Sequence, residues 1–303
     1  MEQFMTITGR NLKIFFRDKG AVFFSLLSMI IVICLMVFFL GDMNIENITG
    51  ILSQFPGRDM AADEKNAELL ILSWTCAGIL SINAVTVTQA VYSVMIKDAV
   101  TGKLNSIYTA PVSRAVITAG YIAASWIASV FVCAMTLFIT EGYLVMKGME
   151  AFSLITHIKL LGMIMLNSFV YAVFMYLLAF IAKTESAWSG MGTVIGTLVG
   201  FLGGIYIPIG ALSGVIGTIM KCTPVIYGTA MFRSVMTKEL IDTTFLDIPD
   251  EVVMEYRTVM GIDLEILEQG IGITEESLLL FACGIILLVV DVVILKYAKK
   301  TDR

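Results

Sequence analysis

The chain has 303 residues, of which 58% are hydrophobic and only 15% charged, with a formal net charge of −5. Its mean hydropathy of +0.89 excludes an ordinary soluble domain, in which roughly half the residues are apolar and about a quarter charged. Length and composition together describe a chain that lives in a bilayer.

Residues 1–20 come first in chain order. On a helical wheel Phe4, Met5, Ile7, Leu12, Ile14, Phe15 and Phe16 cover one broad arc, and Arg10, Lys13 and Arg17 share a narrow arc opposite. That pattern predicts an amphipathic interfacial helix lying flat, its basic side toward lipid headgroups. Residues 21–40 form the first charge-free run. The run is longer than a signal-peptide core and no small-x-small site follows Leu40, so it reads as an uncleaved first span. Residues 69–96 make the second. Residues 97–114 are more than the ~2–8 that a turn between helices needs. Ile96, Val100, Leu104, Ile107 and Tyr108 recur at helical spacing, which extends the second span as a short helix that stops before Pro111. Spans 115–140 and 160–182 follow.

The next charge-free run, Ser186–Met220, is too long for one crossing of ~20 residues. Pro208 divides it into a fifth span at 187–207 and an outer segment, 208–276, that is re-entrant at first. Pro208 and Pro224 are candidate outer-gate residues, and two outer helices are expected at 229–241 and 250–267. Gly192, Gly196, Gly200 and Gly204 recur every fourth residue within the fifth span. Each interior glycine costs roughly 1 kcal/mol against alanine, so the repeat predicts a smooth helix face against which another backbone packs closely. The last span, 277–295, is interrupted only by Asp291, which is expected to pair with Lys296 or face a partner helix.

Six spans result, an all-α integral membrane fold in a single domain. Segments 1–20, 97–114, 183–186 and 296–303 hold 12 of the 20 basic residues in 50 positions, whereas 41–68, 141–159 and 206–276 hold 8 in 118. The basic side is cytoplasmic, so both termini are expected inside. Of the 25 acidic residues, 19 lie on the opposite side.

His157 is the only histidine and has no metal-ligand spacing around it. Cys34, Cys76, Cys133, Cys222 and Cys283 are scattered through apolar runs and read as packing residues. The sequence has no GxxxxGK[ST] loop, so ATP hydrolysis by this chain alone is not expected. Asp291 is the one ionisable residue at membrane depth, and no internal repeat accompanies it. An ion-coupled carrier or channel is therefore the lesser reading, and an intramembrane enzyme lacks any convergent polar set. No nucleic-acid partner and no cofactor held by this chain are expected.

The 97–114 loop holds Lys97-Asp98, Gly102-Lys103-Leu104 and Ala110-Pro111-Val112-Ser113-Arg114 in that order. These elements resemble, in the same order, the loop of the permease family of type-2 ABC exporters, with Ile96-Lys97-Asp98 where a Glu-Arg-Glu-like cluster is usual. Phe15-Phe16-Arg17-Asp18-Lys19 before the first span, and the layout of Pro208 and Pro224, resemble the family too. The resemblance implies that Lys97, Asp98, Gly102, Lys103, Leu104, Pro111 and Arg114, with Arg10, Lys13 and Arg17, couple the chain to a separate ATPase subunit, which binds ATP and Mg. It also implies a half-transporter that pairs with a second copy or a similar chain, located in a bacterial plasma membrane. Such a transporter would export a lipophilic or amphipathic drug, antibiotic, peptide or lipid.

Overall fold

The structure, a computed structural model, describes residues 1–35, 41–182, 184–212, 214–266 and 269–301. Helix α1 (Glu2–Arg17) runs almost directly into α2 (Lys19–Leu35). Asp18 leaves helical geometry between them, and its carboxylate accepts the Ala21 N–H at 3.0 Å, starting the second helix. The first expected span corresponds to α2, and its residues 36–40 lie outside the described residues.

After α3 (Gly41–Leu52) comes α4 (Met60–Val100), whose first turn is capped by Asp59 accepting the Ala61 N–H at 3.0 Å. Its 41 residues measure about 60 Å, twice the ~30 Å hydrocarbon core. The expected span 69–96 sits inside it. Hydropathy marks only the apolar section, whereas the helix continues through Asp63, Glu64, Lys65 and Glu68. Arg58 clasps Asp63 at 2.7 and 2.6 Å and donates to the carbonyls of Thr244 and Leu246, both at 2.8 Å.

Then follow α5 (Lys103–Thr109), α6 (Arg114–Met146), α7 (Leu154–Ile181) and α8 (Glu185–Leu202). Ser113, Ser153 and Thr184 cap the last three, each hydroxyl accepting an N–H three residues on at 3.3, 3.2 and 3.1 Å. A 3-10 turn (Ile209–Ala211) leads to α9 (Val215–Lys221), α10 (Pro224–Met236), α11 (Lys238–Thr244) and α12 (Asp250–Val259). A hairpin, β1 (Leu264–Ile266) with β2 (Gln269–Ile271), precedes α13 (Ile273–Thr301).

Among the described residues four helices are long and apolar enough to cross a membrane: α4, α6, α7 and the Ile273–Lys296 part of α13. Counting α9 and α10, bent by 79° at their joint, as one broken span raises this to five. The helices at the expected first and fifth spans are shorter, with 17 residues described in α2 and 18 in α8. The protein is a multi-pass membrane protein with α4 at its axis: 89% of the apolar section of α4 is buried, against 17% for α13. Around α4 pack α2, α3, α6, α7, α8, α10 and α11. Buried polar side chains tie the bundle together. Asn83 donates to Thr136 Oγ1 at 2.7 Å, Tyr92 to the Ala172 carbonyl at 2.7 Å, and Ser129 to Ser168 at 2.9 Å. Such bonds contribute on the order of 0.6 kcal/mol each inside a membrane.

The segment between α8 and α13 departs from its expected course. The helix expected over 229–241 is divided at Thr237, and the one expected over 250–267 ends at Val259. Gly261 takes φ +63°, and Arg257 folds back onto Asp263 at 2.6 and 2.8 Å. The chain then forms the antiparallel hairpin in which Leu264 opposes Ile271. Among the described residues the fold is all-α apart from this hairpin.

Candidate functional site

Asp98 lies near the end of α4, is 4% exposed, and is the centre of the first site. Arg10 of α1 grips it with both guanidinium nitrogens at 2.6 and 2.8 Å, and Tyr121 of α6 donates its hydroxyl to the same carboxylate at 2.7 Å. Arg10 also donates to Asn11 Oδ1 at 3.0 Å. The hydrogen bond to Asp98 raises the Arg10 pKa above its ordinary value against the opposing cost of burial, so the guanidinium stays charged. Close approach of α1 to α6 depends on Gly120, where a Cβ would lie 2.6 Å from Ile7 Cγ2. Gln3 reaches the Pro111 carbonyl at 3.4 Å.

These contacts turn α1 differently from the wheel's apolar arc. Thr8, Asn11 and Phe15 are buried, while Met5, Ile14 and Phe16 remain exposed. Asp98 and Arg10, two of the expected coupling residues, therefore hold each other, and Lys13, Arg17, Lys97 and Lys103 stay exposed around them. Gly102 at φ +75° separates α4 from α5, so the expected continuous helix is broken there. Leu104 is buried, Pro111 is exposed just before α6, and Arg114 is its half-buried first residue. Tyr121, Asn11 and Gly120 were not singled out by the sequence. The feature that marks them is their spacing along the starts of α1 and α6, which is visible only once the two helices are known to pack.

Between α2, α4 and α8 opens a cavity of about 740 Å³ whose walls include Gln89, Ser93, Lys97, Trp188 and Gly192. Trp188 donates to Ser93 Oγ at 3.1 Å. At Gly192 a Cβ would collide with the Gln89 amide, so this glycine does admit a close neighbour. The four glycines do not share one environment, however. Gly196 has no atom within 4 Å of its would-be Cβ, and Gly200 accommodates Tyr206. Gly204 lies past the end of α8, at φ +62°. Gly204 N–H donates to Phe201 O at 2.9 Å and Ile205 N–H to Gly200 O at 3.0 Å. Those two bonds make a Schellman cap, in which glycine supplies the left-handed residue. The expectation that Gly204 belongs to a helix face is corrected accordingly.

Past this cap lies the second site. Ile205 inserts against Gly78 of α4, where a Cβ would approach within 2.6 Å. Pro208 precedes the 3-10 turn, and Pro224 is the first residue of α10. Proline is well suited to that first position because its missing N–H has no helical partner to lose. Pro224 thus starts a helix at the bent joint. Arg233 of α10 is fully buried and donates to the carbonyls of Gly204 at 2.8 Å, Met260 at 3.2 Å and Gly261 at 3.5 Å. Its guanidinium lies 3.8 Å from the ring centroid of Trp74, whose indole N–H donates to the same Met260 carbonyl at 2.8 Å. One cation thus ties α4, the turn before Pro208 and the end of α12 to α10. The sequence reading counted Arg233 only as one outer basic residue.

His157 is engaged rather than isolated. Nε2 meets Glu141 Oε2 at 2.8 Å and Nδ1 meets the Ser153 carbonyl at 3.0 Å. The cysteines are all unpaired thiols, and no group of three or more metal-ligating side chains occurs among the described residues. Asp291 is 2% exposed, and neither of its carboxylate oxygens has a hydrogen-bond partner, so the expected pairing with Lys296 is not made.

No curated protein matches the chain. A sequence-family profile described as ABC-2 type transporter matches residues 2–237, a stretch that holds α1, the Asp98 cluster, α8 and Arg233. The chain belongs to the ABC-2 type transporter family and is the membrane-spanning permease part of such a transporter.

Proposed function

We propose that this permease subunit exports a lipophilic or amphipathic substrate, driven by ATP that a separate cytoplasmic subunit binds with Mg and hydrolyses. The observation that carries the reading is the unbroken helix α4, which bears Asp98 near one end and Trp74 and Gly78 toward the other. Asp98 and Trp74 are 24 residues apart on it, about 36 Å along the axis. A push on α1, α5 and the Asp98 cluster is then delivered as a rigid-body tilt to the turn that Arg233 holds, without an intervening flexible link. In this reading Lys13, Arg17, Lys97 and Lys103 meet the ATPase, while Arg10 and Asp98 keep the contact surface stiff. Exposed Met5, Ile14 and Phe16 rest in the lipid interface.

Six crossings with both termini cytoplasmic, in a bacterial plasma membrane, complete the proposal. The uneven basic residues favour this orientation, with α2 and α8 crossing as well. Two such chains, identical or similar, enclose the path, and the cavity beside Gln89 and Trp188 receives substrate from the cytoplasmic side. The segment around Pro208 and Pro224 acts as the outer gate.

The test is co-purification of the chain with an ATPase, followed by a cargo-stimulated ATPase assay and export from inverted vesicles. Absence of any associated ATPase, with export intact after deletion of residues 103–109, would sink the proposal. The competing reading, a stand-alone channel or ion-coupled carrier, draws on the unpartnered carboxylate of Asp291. It requires gradient-driven transport by the chain alone in liposomes, lost in Asp291→Asn.

A further inference from the structure

At the end of α4 remote from Asp98, a cavity of about 610 Å³ lies among the start of α4, the α6–α7 turn, the first turns of α7, the α10–α11 junction and Ile273. Its place relative to the bilayer follows from the apolar runs. Leu69, Lys159 and Ile273 line it, and the charge-free runs 69–96, 160–182 and 277–295 begin at or just beyond these residues. The cavity therefore sits at one hydrocarbon boundary, where headgroups meet acyl chains.

Its depth is apolar: Leu69, Met149, Met163 and Met236 are each less than 10% exposed. Its lining also carries two exposed cations, Lys159 and Lys238, and two exposed anions, Glu150 and Glu239. Among the described residues none of these four charged ends makes an ion pair or hydrogen bond, although other opposite charges on the same side of the protein are paired, such as Lys147 with Glu68 at 2.9 Å. The wall is built in advance of any ligand. Glu141 accepts the Phe152 N–H at 2.8 Å and holds His157, and Ser153 caps α7. A preformed pocket of this size, lined by buried apolar side chains and by a few exposed charged ones, has the character of a small-molecule site.

We infer that this cavity binds a zwitterionic phospholipid or lysophospholipid, its phosphate at Lys159 and Lys238, its ammonium at Glu150 and Glu239, and its glycerol and first methylenes over Leu69 and Met163. A purely anionic amphiphile would satisfy the lysines and leave the two carboxylates facing like charge. The site goes beyond ATP-driven export and does not depend on it.

Native mass spectrometry of the full chain released from non-ionic detergent tests this. Lysophosphatidylethanolamine, lysophosphatidylglycerol and the water-soluble headgroup glycerophosphoethanolamine are titrated in turn. The zwitterionic lysolipid is retained about fivefold more tightly than the anionic one, and the headgroup alone binds far more weakly. Glu150→Gln with Glu239→Gln removes that preference by about threefold to fivefold, the scale of two exposed charge contacts, whereas Lys159→Ala with Lys238→Ala weakens retention of both lysolipids by a similar factor. These side chains are exposed, so the variants fold, and the result does not hang on Met163→Trp, which fills the cavity and abolishes retention if it folds. Equal retention of the two lysolipids, charge variants that bind as the parent does, or a headgroup that binds as well as the lysolipid would each overturn the assignment. Because no nucleotide enters the experiment, its failure leaves the exporter reading untouched.

Discussion

Asp98, itself 4% exposed, accepts three hydrogen bonds from Arg10 and Tyr121. Asp98→Asn removes the charge and leaves a guanidinium whose side chain is only 33% exposed without a counter-ion. The expected loss is about 2 kcal/mol, below the 3–5 kcal/mol of a fully buried pair because Arg10 keeps some water. A double-mutant cycle with Arg10→Ala, followed by thermal unfolding in detergent, gives the coupling; a coupling near zero would make the pair ornamental. Arg233 carries a larger penalty. Arg233→Met strands the Gly204 and Gly261 carbonyls, and Arg233→Lys retains a cation but cannot span three acceptors. Both variants are expected to lower stability, by about 2–4 kcal/mol for Met and less for Lys, and with it the unfolding midpoint. An unchanged midpoint in both would contradict the tie. Much of the chemistry at these sites was legible as residue type but not as pairing. Arg10 stood out on the basic arc of the first helix and Asp98 in the loop that resembles the exporter family's, yet 88 residues separate them. Tyr121 looked like any tyrosine near the start of a span, and Arg233 like any outer arginine, because partners supplied by backbone carbonyls leave no mark in a sequence.

At the scale of elements, α8 shows why a regular spacing does not imply a uniform role. The four-residue glycine repeat predicted a face for another backbone, but the close neighbour of Gly192 is the Gln89 side-chain amide, Gly204 ends the helix and Gly196 has open space beside it. Gly192→Leu is expected to force α8 away from α4 and lower stability by about 1–3 kcal/mol, as overpacking does. Gly196→Leu leaves the protomer's unfolding midpoint within about 1 °C and becomes a probe of the proposed second copy, because ~0.5 kcal/mol is the usual effect of a change outside packed sites. Chemical cross-linking of Gly196→Leu membranes reads that directly, and undiminished dimer cross-links would remove this face from the dimer interface. The ends of α4 and the hairpin were less legible. Hydropathy has no means of seeing a helix that continues in water on a capping Asp59 and an Arg58–Asp63 clasp. The helix expected over 250–267 ran straight through Gly261, which instead takes φ +63° and turns the chain toward the hairpin. The apolar runs within α4, α6, α7 and α13, by contrast, were readable as spans, since a charge-free stretch of span length has few other uses.

For the whole molecule, the proposed passage of a displacement along α4, from the Asp98 cluster to the turn before Pro208, has a native reporter in Cys222. Cys222 is exposed at the joint between α9 and α10, eleven residues before Arg233 on the segment that Arg233 fastens to α4. With the transporter and its ATPase in sealed proteoliposomes, a membrane-impermeant maleimide added outside should modify Cys222 at different rates in nucleotide-free and ATP-trapped states, with peptide mapping separating it from Cys34. Asp98→Asn should erase the difference while leaving the nucleotide-free rate unchanged, because it loosens the cluster without touching the outer turn. Arg233→Lys should do the reverse, raising the nucleotide-free rate itself because the turn is no longer held to α4. If Asp98→Asn preserves the nucleotide-dependent difference, α4 is not the path of transmission, whatever the stability of either site.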